Sequence, residues 1–215
     1  VLHHKLDQVY LARKKKDVVA DMPPKLKQAV VLEVPNAPGI KPKDEDEAYS
    51  DSGWMDDAEL TADERREMGV GGNAIAEVTR LKHDLAKAKA PVTAEFVKEL
   101  LDSSDSHIIV YTDSVPAAYA IAETLGSVAV LHTGKQSTEA QDAARAHFDP
   151  LRHKEGDHVR VLVSTTAKGI GFNGQIADKV VFNDLPWTPA DKDQAEDRAY
   201  RIGTKNPFNA YDIHA

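Results

Sequence analysis

The chain has 215 residues, 41% of them hydrophobic and few aromatic, with 27 Lys and Arg against 35 Asp and Glu and a formal net charge of −8. That balance excludes a generally basic nucleic-acid surface but leaves room for a local patch. The absence of cysteine excludes disulfides and thiolate metal sites, and with no apolar run of membrane-span length it predicts an intracellular protein.

In chain order, "LARKKKDVVADMPPK" gathers five Lys and Arg and is broken by Pro23-Pro24. "AVVLEV", residues 29–34, has the β-branched content of a buried strand. Residues 35–72 turn acidic and rich in Pro and Gly, which predicts a solvated loop or weak helix without chemistry. Residues 73–103 return to helical periodicity: Ile75, Val78, Leu81 and Leu85 share one face, and a second helix is predicted to start near Pro91.

From residue 107 the pattern is regular. "HIIVYT" (107–112), "SVAVLH" (127–132), "RVLVST" (160–165) and "KVVFN" (179–183) are short apolar runs of the kind buried parallel strands show. Between them, Val115, Ala118, Ile121, Ala122 and Leu125 form one helical face, and Ala140, Ala143, Ala144 and Phe148 another. Strands alternating with helices predict an α/β fold, a parallel sheet with helices on both faces. The opening Val1 and the strand-like end at Ala215 predict a segment of something longer.

"HTGKQS" (132–137) is no phosphate-binding Walker A loop, since Ala129 and Gln136 stand where a Gly and a Ser or Thr are required. "STTAKGIGFNG" (164–174) follows a strand and carries Gly169, Gly171 and Gly174. Such glycines let backbone N–H groups approach a phosphate, or they serve only positive φ angles; spacing leaves both open. Trp187 is either a packing residue or an exposed ring contacting a base or sugar.

"PWTPADKDQAEDRAYRIG" (186–203) carries the most information. Thr188 is the predicted N-cap, Pro189 the first helical residue and Asp191 the capping-box acid, with Gly203 closing the helix. At 100° per residue Gln194, Arg198 and Arg201 fall on one narrow face, with most carboxylates elsewhere. A face that gathers an amide and two guanidiniums reaches toward an anion; a solvated surface helix is the alternative.

"VLVSTTAKGIGFNGQIADKVVFNDLPWTPADKDQAEDRAYRIGT" (161–204) resembles motifs V and VI of the Swi/Snf-type helicase-like ATPases, nearest the HARP-like annealing-helicase branch. "IIVYTDS" resembles motif IV, and "LHTGKQSTEAQDAARAHF" the strand–Gly–helix segment after it. Two positions depart from the family pattern. Lys168-Gly169 stands where two glycines are usual, and Gln141 where an arginine is usual.

The resemblance implies the second RecA-like motor lobe, a helicase C-terminal domain, with three parts. These are a basic inter-lobe segment over 1–28, a first strand with acidic insert and helical protrusion over 29–103, and the core over 104–215. It implies ATP and Mg2+ as cofactors, the metal ligands coming from a first lobe ahead of Val1. Arg201 and Arg198 would act on the triphosphate, with Gln194 positioning the helix or the attacking water. Gly169, Gly171 and Asn173 would lie at the nucleotide. Thr133, Gly134, Lys135, Ser164, Thr165 and Trp187 would contact the backbone of double-stranded or branched DNA. A non-catalytic DNA- or partner-binding module and an RNA helicase lobe are the competing readings.

Overall fold

A computed structural model describes residues 22–35, 72–149, 158–166, 173–204 and 206–215. The acidic stretch and most of the basic lead-in lie outside these residues, as do Gly169 and Gly171. Six strands form one parallel sheet in the order β1-β6-β5-β2-β4-β3. They are β1 (Lys25–Val31), β2 (Ile108–Thr112), β3 (Ala129–His132), β4 (Val161–Thr165), β5 (Lys179–Phe182) and β6 (Phe208–His214). The α-helices among the described residues are α1 (Gly72–Ser103), α2 (Val115–Leu125), α3 (Thr138–Phe148) and α4 (Pro189–Ala199).

The strand period of two sorts the core into two layers. Ile108, Val110, Val161, Val163, Val181 and Ile213 face one way, against Ala90, Ala94, Val97 and Leu101 of α1 and Ala118 and Ile121 of α2. Ile109, Tyr111, Leu162, Val180 and Phe182 face the other way, against Ala144 and Phe148 of α3 and Ala195 and Ala199 of α4. Every residue of β2 and β4 is buried. Helices therefore cover both faces, as the alternating pattern predicts.

Two expectations are corrected. The first strand runs over Lys25–Val31 rather than 29–34, and it is an edge strand with most side chains exposed. Its register is set by pairing with β6, Lys25 opposite Phe208 and Val31 opposite His214. The two helices expected around Pro91 are one helix, with Pro91 inside it. Its buried stripe is Ala86, Ala90, Ala94, Val97 and Leu101, while Val78 of the expected apolar face is exposed. Small alanines let α1 pack closely on α2 and the sheet on both sides of the proline. That packing outweighs one missing backbone hydrogen bond.

Candidate nucleotide-facing site

Helix α4 starts as its sequence dictates. Thr188 has extended dihedrals, φ −120° and ψ 147°, and its hydroxyl accepts the Asp191 N–H at 3.1 Å. Pro189 opens the first turn and Asp191 places its charge at the positive end of the helix dipole. The helix ends earlier than expected, at Ala199, with Tyr200 as its C-cap at φ −83° and ψ 86°. Arg201 thus lies one residue past the cap, not on a third helical turn.

The cause is local competition for backbone groups. The Thr204 hydroxyl accepts the Arg201 N–H at 3.1 Å and donates to the Arg201 carbonyl at 2.7 Å. The Tyr200 hydroxyl donates to the Pro23 carbonyl at 2.7 Å and its ring packs on Phe208, drawing the chain out of the helical path. Gly203 takes φ +96° in this later turn, where a Cβ would stand 2.9 Å from Gln175 Nε2. It shapes the turn after Arg201 rather than capping α4.

The three residues still converge. Gln194, Arg198 and Arg201 line one open hollow of about 590 Å³, together with Ala190, Asp193 and Asp197. Among the described residues no salt bridge engages either guanidinium. Asp193 and Asp197 share the hollow, so the acids are less segregated than the helical projection predicts. Asn173 does not line this hollow but a separate one, with Asp142, Arg145 and Asp149; the residues after it turn toward the arginines, the Gly174 N–H donating to the Arg198 carbonyl at 3.0 Å and Gln175 Nε2 to the Ile202 carbonyl at 2.8 Å. The end of the glycine loop is thereby clipped to the last turn of α4, which carries Arg198, and to the turn after Arg201. Beneath lies Tyr111, whose buried hydroxyl has no hydrogen-bond partner. Burial pushes its pKa up, against a smaller downward pull from the Arg198 charge.

The residues matched to DNA contact divide by exposure. Gly134 and Lys135 are exposed at the tip after β3, whereas Thr133, Ser164 and Thr165 are buried. Ser164 Oγ meets His132 Nδ1 at 3.0 Å, and the Thr133 N–H donates to Gln136 Oε1 at 2.8 Å. Gln141, at the position where an arginine is usual, donates to the Gln136 carbonyl at 2.9 Å and so braces this loop. Trp187 is 57% exposed.

A polar cluster that sequence reasoning missed lies under the strand ends near Trp187. Asp184 is 4% exposed, accepting hydrogen bonds from the Thr112 hydroxyl and, at 2.9 Å, from the Asp113 N–H. Burial first, then the neighbouring Asp113 charge, raises the Asp184 pKa; the Thr112 and Asp113 hydrogen bonds and Lys82 oppose the rise. Lys82 pairs with Asp113. Lys89 is buried and donates to the Ile213 carbonyl at 3.0 Å, and burial lowers its pKa.

The two guanidiniums and the amide suit the phosphate end of a nucleotide, while the Asp193 and Asp197 carboxylates in the same hollow oppose an anion. The hollow does not fit a magnesium ion: among the described residues no group of three His, Asp or Glu is arranged to hold a metal. No described helix is long and apolar enough to cross a membrane.

A parallel sheet covered on both faces, with an arginine-bearing helix beyond its strand ends, defines a RecA-like α/β lobe. Residues 92–203 match the helicase conserved C-terminal domain, more than half of the chain, and the chain belongs to that family. It is 26% identical over 214 residues to the mouse DNA annealing helicase and endonuclease ZRANB3, covering 98% of this chain and 19% of that protein. It is 29% identical over 203 residues to the bovine SWI/SNF-related matrix-associated actin-dependent regulator of chromatin subfamily A-like protein 1, covering 92% of this chain and 19% of that one. A crystal structure of the C-terminal part of the Fun30 ATPase domain matches 55% of this chain and 39% of that one, with 20% identity and a TM-score of 0.47. The Swi/Snf-type resemblance of residues 161–204 is borne out by these relatives. The chain spans about a fifth of the length of the two relatives.

Proposed function

We propose that the chain is the second lobe of an ATP-driven translocase on double-stranded or branched DNA, working against a first RecA-like lobe of the same protein. The observation that carries the reading is the convergence of Gln194, Arg198 and Arg201 on one hollow where no salt bridge among the described residues engages either guanidinium. ATP bound between the lobes would present its phosphates to this hollow, and Mg2+ held by the first lobe would neutralise charge on them.

Within the chain, Arg201 and Arg198 act as arginine fingers: a guanidinium gains most as charge shifts onto the phosphoryl oxygens in the transition state. Gln194 orients the helix face or an attacking water. Gly169, Gly171 and Asn173 bring backbone close to the nucleotide. DNA is held without regard to sequence, through the exposed Gly134 and Lys135 tip, backbone amides near Thr133, Ser164 and Thr165, and the face of Trp187.

The test uses purified chain in two assays. The chain alone is expected to release no phosphate from ATP above a denatured control, because its sequence holds no Walker A loop and no group of three His, Asp or Glu among the described residues could hold magnesium. Its DNA binding is expected to be weak and steeply salt-dependent, each neutralised phosphate adding a log–log slope of about −0.9. Steady turnover by the isolated chain, or tight DNA binding indifferent to salt or selective for one base sequence, would count against the reading. Stronger stimulation by RNA than by DNA in the larger protein would point to an RNA helicase lobe instead.

A further inference from the structure

Glu196 has no accessible surface, although its helix neighbours Asp193 and Gln194 are exposed. A carboxylate is costly to bury unless cations accompany it. Here they come from the edge strand: Lys25 Nζ stands 2.6 Å and Lys27 Nζ 2.9 Å from Glu196 Oε2, with Lys192 Nζ 3.9 Å from Oε1. Lys25 and Lys27 are two apart on β1, so both side chains leave the same face of the strand. Lys27 also reaches Asp193 at 3.3 Å, the residue beside Gln194. Burial alone would lower the Lys27 pKa, but the neighbouring Glu196 and Asp193 carboxylates outweigh it and raise it.

One turn further along, the Tyr200 hydroxyl bonds to the Pro23 carbonyl, and Lys25 Nζ lies 5.4 Å from the centre of the Tyr200 ring. The stretch Pro23–Lys27 therefore grips α4 in its middle and at its end. Two grips at different heights fix the rotation of the helix as well as its distance. Turning α4 about its axis would draw the Glu196 carboxylate off both strand ammoniums and leave a buried charge with only Lys192 of its own helix, 3.9 Å away.

We propose that Glu196 is a positioning residue. Through Lys25 and Lys27 it sets the rotation of α4, and so the direction of Arg198 and of the turn bearing Arg201. A shift of the chain that enters at Pro23 is thereby transmitted to the guanidiniums. This rests on the reading of the hollow as phosphate-facing.

The experiment uses the protein that carries this chain together with its nucleotide-binding lobe, at a temperature where circular dichroism shows every variant folded. Glu196→Gln, Lys25→Met and the double variant are compared for DNA-stimulated kcat and for KM of ATP. Each single change is expected to lower kcat about tenfold, a modest misplacement of reacting groups. KM is expected to move by less than about threefold, since the effect falls on the transition state. The double variant should be no slower than the slower single. Should charge variants not fold, Tyr200→Phe removes one hydroxyl and is expected to lower kcat several-fold on its own. A normal kcat in folded Glu196→Gln, or in Tyr200→Phe, overturns the proposal and leaves an ordinary buried ion pair. Arg201→Ala is measured alongside. If it loses turnover while Glu196→Gln does not, the positioning role alone fails; if it keeps turnover, the phosphate-facing reading fails and the proposal with it.

Discussion

The Lys82 ammonium lies 4.5 Å from the centre of the Trp187 ring, while the same ammonium pairs with Asp113. A helix of the first half of the chain thus fixes an exposed aromatic at the entrance to α4. The cation is attracted to one face of the ring, and the ring remains 57% exposed. On the proposed reading, Trp187→Ala weakens DNA binding at low salt by about 1–3 kcal/mol, the scale of an aromatic–base contact. Fluorescence anisotropy of a dye-labelled DNA duplex, titrated with wild type and with Trp187→Ala, reads it directly. Unchanged affinity would make Trp187 a packing residue, the alternative that spacing leaves open.

Thr188→Ala removes the hydroxyl that caps α4. The expected loss is about 1 kcal/mol of stability, as for other N-caps. A shift in the urea midpoint without a change in slope checks it.

Pro91 offers a test of opposite sign. It sits exposed inside a continuous helix. Pro91→Ala restores an N–H and relieves the ring against the preceding turn, so the chain is expected to gain about 1–3 kcal/mol in urea unfolding. Destabilisation would mean that the proline sets a bend on which the packing of Ala86 and Ala94 depends.

Those elements show which parts of the molecule are local. Strands β2, β4 and β5 are legible because continuous β-branched runs can be buried only in a doubly covered sheet. The start of α4 is legible because Thr188, Pro189 and Asp191 act within one turn. Its end is not, because Tyr200 is drawn away by Pro23, far off in sequence. Glu196 reads as one more surface acid until Lys25 and Lys27 arrive on an edge strand. The helix through Pro91 is not legible for the same reason: propensity is local, whereas the alanine stripe that holds the helix is tertiary. Helical spacing groups Gln194, Arg198 and Arg201, yet Arg201 reaches the hollow from a turn held by Thr204.

Lys89 supplies a pH dependence. Its folded pKa is lowered from 10.5, chiefly by burial. The unfolded chain then holds the proton more tightly, so stability rises as pH climbs through the lowered folded value toward 10.5. Lys89→Met lacks that proton. Wild type is therefore expected to gain stability relative to Lys89→Met between neutral pH and about pH 10, read by urea unfolding at each pH. A difference constant across that window would contradict a buried, reluctant ammonium.

The account turns on Arg201, and the most direct measurement is DNA-stimulated ATP turnover of the larger protein with Arg201→Ala and Arg201→Lys, with nucleotide affinity measured separately. Loss of a guanidinium that acts on the transferring phosphoryl group is expected to lower kcat on the order of 10³-fold, with a much smaller change in affinity. Lysine is not expected to restore it, because a point charge cannot reproduce the planar fork. Near-normal turnover in either variant would contradict the account and make Arg201 a surface charge beside a hollow.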